Sequence, residues 1–124
     1  MTATDGTAPM HIGLNLLFLL PGVVGGTETY ATALVRALSR LDAESRYTLF
    51  LNRESAGVEW PREPNFRTIV CDVRASSRAM RYAFEQAVLP GLVRREGVDL
   101  LHSLGYVAPL RVRCPSVVTV HDLN

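Results

Sequence analysis

The sequence predicts an α/β domain of the Rossmann-like class, an open parallel sheet with helices on both faces. Three observations carry this. From Met10 the run HIGLNLLFL is almost continuously apolar, the pattern of a strand buried on both faces of a parallel sheet. That run passes through the glycine-containing loop LPGVVGG directly into a segment of helical periodicity. Short apolar or β-branched runs then alternate with helix-length stretches, and such strands join most readily as parallel βαβ units.

Taken in order, residues 1–9 are small and polar without periodic apolar character, and are expected to be a disordered leader to a domain over 10–124. In the first helix, TETYATALVRALSRL, the predicted inner face is Tyr30, Leu34, Ala37, Leu38 and Leu41, with Thr27 as N-cap and Glu28 at the positive end of the helix dipole. YTLFLN, from Tyr47 to Asn52, is the second strand. Gly57, Pro61 and Pro64 then mark an irregular connection over Arg53 to Asn65, and FRTIVC is the third strand. Between Ser76 and Arg95 the pattern is helical, with Met80, Phe84, Ala87 and Val88 expected against the sheet and a break at Pro90–Gly91. Gly97 ends that helix, and GVDLLHS and PSVVTVHD supply strands four and five.

At 124 residues the chain is long enough for one real core, and 48% hydrophobic with 20% charged residues is ordinary for a globular domain. Thirteen basic residues, all arginine, against twelve acidic ones give a net charge of +1, which argues against a nucleic-acid partner. Cys71 and Cys114 form no CxxC pair and have no histidine at ligand spacing, so no metal site is expected and free thiols of a reducing, cytoplasmic compartment are. The longest apolar run, Leu14 to Leu20, follows no basic segment and is too short to span a bilayer.

Ligands of open parallel sheets bind beyond the carboxyl ends of the strands. The residues expected there are the loop from Gly22 to Thr27, Asn52, Asp72, His102 with Ser103, and His121 with Asp122. Glycines at Gly25 and Gly26 let backbone approach a ligand, and free N–H groups at the helix start attract phosphate or carboxylate. The same loop also reads as a tight strand-to-helix turn. GxGxxG is absent and no acid ends the second strand, so a dinucleotide site lacks support. His121, directly after SVVTV, is placed to exchange a hydrogen bond near neutral pH or to pack structurally. Asp122 either contacts a ligand hydroxyl or caps a turn, and His102 reads as a packed strand-end residue or a ligand contact. Ser103 has no GxSxG elbow, which excludes serine-hydrolase chemistry. Arg74, Arg78 and Arg81 are either a solvated helix face, paired in part with Glu85, or a peripheral contact to an anionic inner membrane face.

In this order HIGLNLLFL with GGTETYATALVRAL, then GVDLLHS, then PSVVTVHDL resemble the N-terminal, acceptor-side domain of a retaining glycosyltransferase of the GT-B fold, in the family 4 group that includes mannosyl- and rhamnosyltransferases. The resemblance covers nearly everything from Met10 to Asn124. It implies a nucleotide-sugar donor as substrate, a hydroxyl acceptor and no cofactor. It assigns Gly25, Gly26 and Thr27 to a loop reaching toward the donor phosphates, His121 to the neighbourhood of the transferred sugar, and Asp122 to a supporting role. It also implies that the nucleotide-sugar-binding second domain lies outside this chain, that the chain alone is inactive, and that sheet surface left uncovered invites self-association. Two other readings compete: a non-enzymatic interaction module that keeps the half-fold, and a small anion- or nucleotide-binding Rossmann domain.

Overall fold

A computed structural model describes residues 9–22, 26–105 and 107–120. Among these residues five strands, β1 (His11–Leu16), β2 (Arg46–Leu51), β3 (Phe66–Val70), β4 (Leu100–Ser103) and β5 (Ser116–Val118), form one sheet in the order β3-β2-β1-β4-β5. Every pairing is parallel. Among the described residues three helices accompany them: α1 (Gly26–Leu41), α2 (Arg78–Ala87) and α3 (Leu89–Glu96). The predicted class is therefore the observed one. The connection after β2 contains one 3-10 turn, Ser55–Gly57.

Helices lie on both faces, and strand alternation sorts the side chains between them. Leu14 and Leu16 of β1 join Tyr47, Leu49 and Leu51 of β2 in a core closed by Ala31 and Val35 of α1. Phe50 and Leu101 point the other way, into a core with Leu89 and Val93 of α3. Gly13 sits in this second layer because a Cβ there would lie 3.0 Å from Phe50 and 3.1 Å from Val98.

Both helical faces keep part of their predicted set, Leu34 and Leu38 in α1 and Phe84 in α2, and differ in the rest. In α1 the inward residues are Ala31 and Val35, with Leu34 and Leu38 packed beside them, whereas Tyr30 is exposed and Leu41 is 83% exposed. A 3.6-residue period admits neighbouring phases, and the small Ala31 lets the helix approach the sheet closely. The helix begins at Gly26, so Thr27 lies in its first turn and is not its N-cap. In α2 the residue turned fully inward is Glu85, while Met80 is 63% exposed and Ala87 and Val88 face solvent.

The predicted break falls at Val88. Its N–H still bonds Phe84 O at 2.8 Å, and a new helix starts with Pro90 in its first turn, where a missing N–H costs nothing. Gly97 ends α3 with φ 72°, and the bonds from Gly97 N to Arg94 O and from Val98 N to Val93 O close a Schellman motif. β5 at the sheet edge is exposed along its length, with Val117, Val118 and nearby Val120 open to solvent. Among the described residues no helix is long and apolar enough to cross a membrane.

Candidate functional site

The carboxyl edge of the sheet is organised by two buried asparagines. Asn15, near the end of β1, accepts a hydrogen bond from Leu17 N at 3.1 Å, which turns the chain out of the strand. Asn52, after β2, donates through Nδ2 to the carbonyls of Leu17 and Leu19, both at 2.8 Å, and accepts from Ser55 N. Asn52 was expected among the ligand-facing residues. It is wholly buried, and these backbone groups use its amide, so its role is to fix the loop after β1. Further along that loop, Gly22 adopts φ +82° and donates its N–H to Glu28 Oε1 at 2.8 Å. Glu28 thus ties the start of α1 to the loop that precedes it.

Two more side chains fix the neighbouring loops. Glu54 accepts from the N–H groups of Ala75 and Ser76, ahead of α2. Gln86 on α2 bonds Ala108 O and Leu110 N, holding the segment after β4 against the helix. Between these anchored pieces lies a cleft of about 560 Å³, lined by Phe18 and Leu20, Thr27, the α2 residues Arg78, Arg81 and Tyr82, and Gly105. Gly105 is required for its shape: a Cβ there would fall 2.3 Å from the Phe18 ring. A larger concavity of about 700 Å³ lies elsewhere, between α1 and the segment 56–63, and takes in none of the expected site residues.

A buried polar cluster includes one residue of the cleft wall. Asn15 Nδ2 donates to Glu85 Oε2 and to Ser103 Oγ, each at 3.0 Å. Glu85 is 1% exposed, and burial pushes its carboxyl up, opposed by the Asn15 hydrogen bond and the charge of Arg81. Arg81 Nε lies 3.6 Å from Glu85 Oε1, an ion pair without a hydrogen bond, and both atoms are buried without one. The Arg81 side chain is only 12% exposed and its guanidinium sits 4.7 Å from the Tyr82 ring centroid. The expected pairing with Glu85 is present at Arg81, but the face is not uniformly solvated: Arg74 and Arg78 are exposed, whereas Arg81 turns inward toward Glu85.

The remaining expected residues divide. Gly26 and Thr27 start α1, and Thr27 lines the cleft. His102 faces the opposite side of the sheet from Ser103, with Nε2 2.7 Å from Thr119 Oγ1, and burial holds its pKa below the usual histidine value. Ser103 is fully buried and its hydroxyl is bonded by Asn15, not by a histidine. Asp72 is exposed and paired with Arg53. Cys71 and Cys114 are free thiols, the former buried and pushed up to about 11. Gly25, His121 and Asp122 lie outside the described residues. Among the described residues no group of histidine, cysteine and acidic side chains could hold a metal ion.

Sequence reasoning missed Asn15, and took Glu85 only as a partner of a solvated arginine face and not as a buried acid. Their signal was polarity at positions that periodicity made interior, an asparagine inside an apolar strand and an acid between Phe84 and Leu89. Fold and site together define a Rossmann-like α/β domain with an anchored cleft at the carboxyl edge of its sheet. Comparison with protein-family models, with curated proteins and with solved structures finds no match to this chain.

Proposed function

We propose that this chain is the acceptor-side domain of a retaining glycosyltransferase, which moves a sugar from a nucleotide-sugar donor to a hydroxyl acceptor and is inactive without a second α/β domain. The observation that carries the reading is the cleft: the first turn of α1, where the glycine loop ends, and the segment after β4 meet across one carboxyl edge. This is where an open parallel sheet binds ligands. Loops tied down by Asn15, Asn52, Glu54 and Gln86 suit a preformed binding wall. Glu85 and Ser103 are both buried and bonded to Asn15, so charge on a departing nucleotide would have to be stabilised by groups beyond these. His121, Asp122 and Gly25 enter this reading through the resemblance of their segments, with His121 near the transferred sugar.

Isothermal titration of the chain with UDP-glucose, GDP-mannose and dTDP-rhamnose should give no submillimolar binding. The product of the complete reading frame should transfer one of these sugars with retained anomeric configuration. Submillimolar donor binding by this chain alone, or a complete product without transfer to any hydroxyl acceptor, would overturn the reading. The exposed valines of β5 favour one rival, an interaction module that pairs through its sheet edge. Sedimentation at micromolar concentration would reveal that as a dimer.

A further inference from the structure

The chemistry of the cleft wall is one-sided. Arg78 and Arg81 line it together with Thr27, Ser76, Tyr82 and Phe18, and no aspartate or glutamate is among the described lining residues. The N–H groups of Ala75 and Ser76, ahead of α2, are already taken by Glu54. The arginines are then the charged groups on this wall that can meet a negative group.

Arg81 is not an ordinary surface arginine. Burying an ion pair costs desolvation that its own attraction often fails to offset, so a buried Arg–Glu pair calls for a reason beyond stability. Glu85 sits beneath Arg81 with one oxygen bonded to Asn15 and the other facing Arg81 Nε. A guanidinium carries five N–H donors in a rigid fork, and a carboxylate opposite Nε leaves the terminal nitrogens for a second planar or tetrahedral oxyanion. The exposed Arg78 lies one helical turn away on the same wall.

We propose that this cleft binds an anionic group, a phosphate monoester or a carboxylate, carried by the acceptor, on the terminal nitrogens of Arg81 with support from Arg78. Glu85 and Asn15 are the positioning residues that hold the Arg81 fork. The term acceptor rests on the glycosyltransferase reading; the anion site does not.

The test is a titration of the isotope-labelled chain, followed by amide and arginine Nε resonances at constant ionic strength, with glycerol 3-phosphate, glycerate and neutral glycerol. Glycerol 3-phosphate or glycerate should saturate at millimolar concentration with shifts centred on Arg78, Arg81, Tyr82 and Gly105, and glycerol should not. Arg81→Gln should weaken binding at least tenfold and Arg78→Gln severalfold. Glu85→Gln should move the Arg81 Nε resonance and weaken binding severalfold, with partial rescue by Glu85→Asp, a response that a purely structural role would not give. Because Arg81→Gln leaves Glu85 unpaired and could fail to fold, the exposed Arg78→Gln serves as the second variant. Unsaturating shifts spread equally over Arg36 and Arg40, equal response to glycerol, or unchanged affinity in both arginine variants would overturn the proposal. Anion binding without sugar transfer by the complete protein would overturn only the glycosyltransferase reading. Transfer whose acceptor KM is indifferent to Arg81→Gln would overturn only this one.

Discussion

Replacing Asn15 by alanine should be among the most damaging single changes to the described fold. Its amide makes three hydrogen bonds, to Glu85, Ser103 and the backbone of Leu17, at 3.0, 3.0 and 3.1 Å. Ser103 Oγ loses a donor but keeps its own O–H, whereas Leu17 N–H and Glu85 Oε2 are left buried without a partner. Each such orphan costs about 1–3 kcal/mol, so the loss should be roughly 3–5 kcal/mol with the small cavity included. Against a domain stability of about 5–15 kcal/mol that is a large fraction. Urea unfolding followed by far-ultraviolet circular dichroism and by Trp60, the single tryptophan and one whose indole N–H is bonded to Ser55 O, gives the measurement. Asn15→Asp provides the internal control. A carboxylate cannot donate to Glu85, so at pH 7 two acids would face each other, and the penalty should shrink as pH falls and one of them becomes a donor. A loss below about 1 kcal/mol for Asn15→Ala at unchanged m-value would refute the assignment of Asn15 as the hub.

Two further predictions concern packing and protonation. Gly105→Ala would set a methyl 2.3–2.7 Å from three atoms of the buried Phe18 side chain, so it should destabilise by about 1–3 kcal/mol. Gly91→Ala, in α3 with open space around it, should be neutral or stabilise by up to about 1 kcal/mol in the same denaturation assay. His11 is buried with Nε2 2.7 Å from Thr48 Oγ1, and burial, aided by the charge of Arg46 and opposed by Asp99 and Glu96, lowers its pKa. The unfolded chain then binds this proton more readily than the folded one, so stability is full above the ordinary value of 6.5 and declines as pH falls below it. His102 acts in the same direction, whereas Glu85, with its raised pKa, acts in the opposite one. Urea midpoints between pH 7.5 and 5.5 should therefore drop, and His11→Gln should flatten the drop. An identical slope in the variant would exclude His11 as a contributor.

The sequence alone determined the order of elements and the parallel class. Those depend on local matters: which runs are apolar on both faces, where glycine and proline interrupt them, and how long the intervening helices are. Pro90 broke the long helix and Gly97 ended it because backbone chemistry at those positions leaves little choice. Only the tertiary structure decided which helical phase faced the sheet, since Ala31 and Val35 outrank Tyr30 and Leu41 only once the depth of the layer is known. It decided equally that Asn52 is an internal staple and that Arg81 turns inward while Arg74 and Arg78 do not. A polar side chain is not interior or exterior by its own chemistry; its partners decide. The partners of Asn15 are 70 and 88 residues away at Glu85 and Ser103, a distance along the chain that only the crossing of β1, α2 and β4 closes.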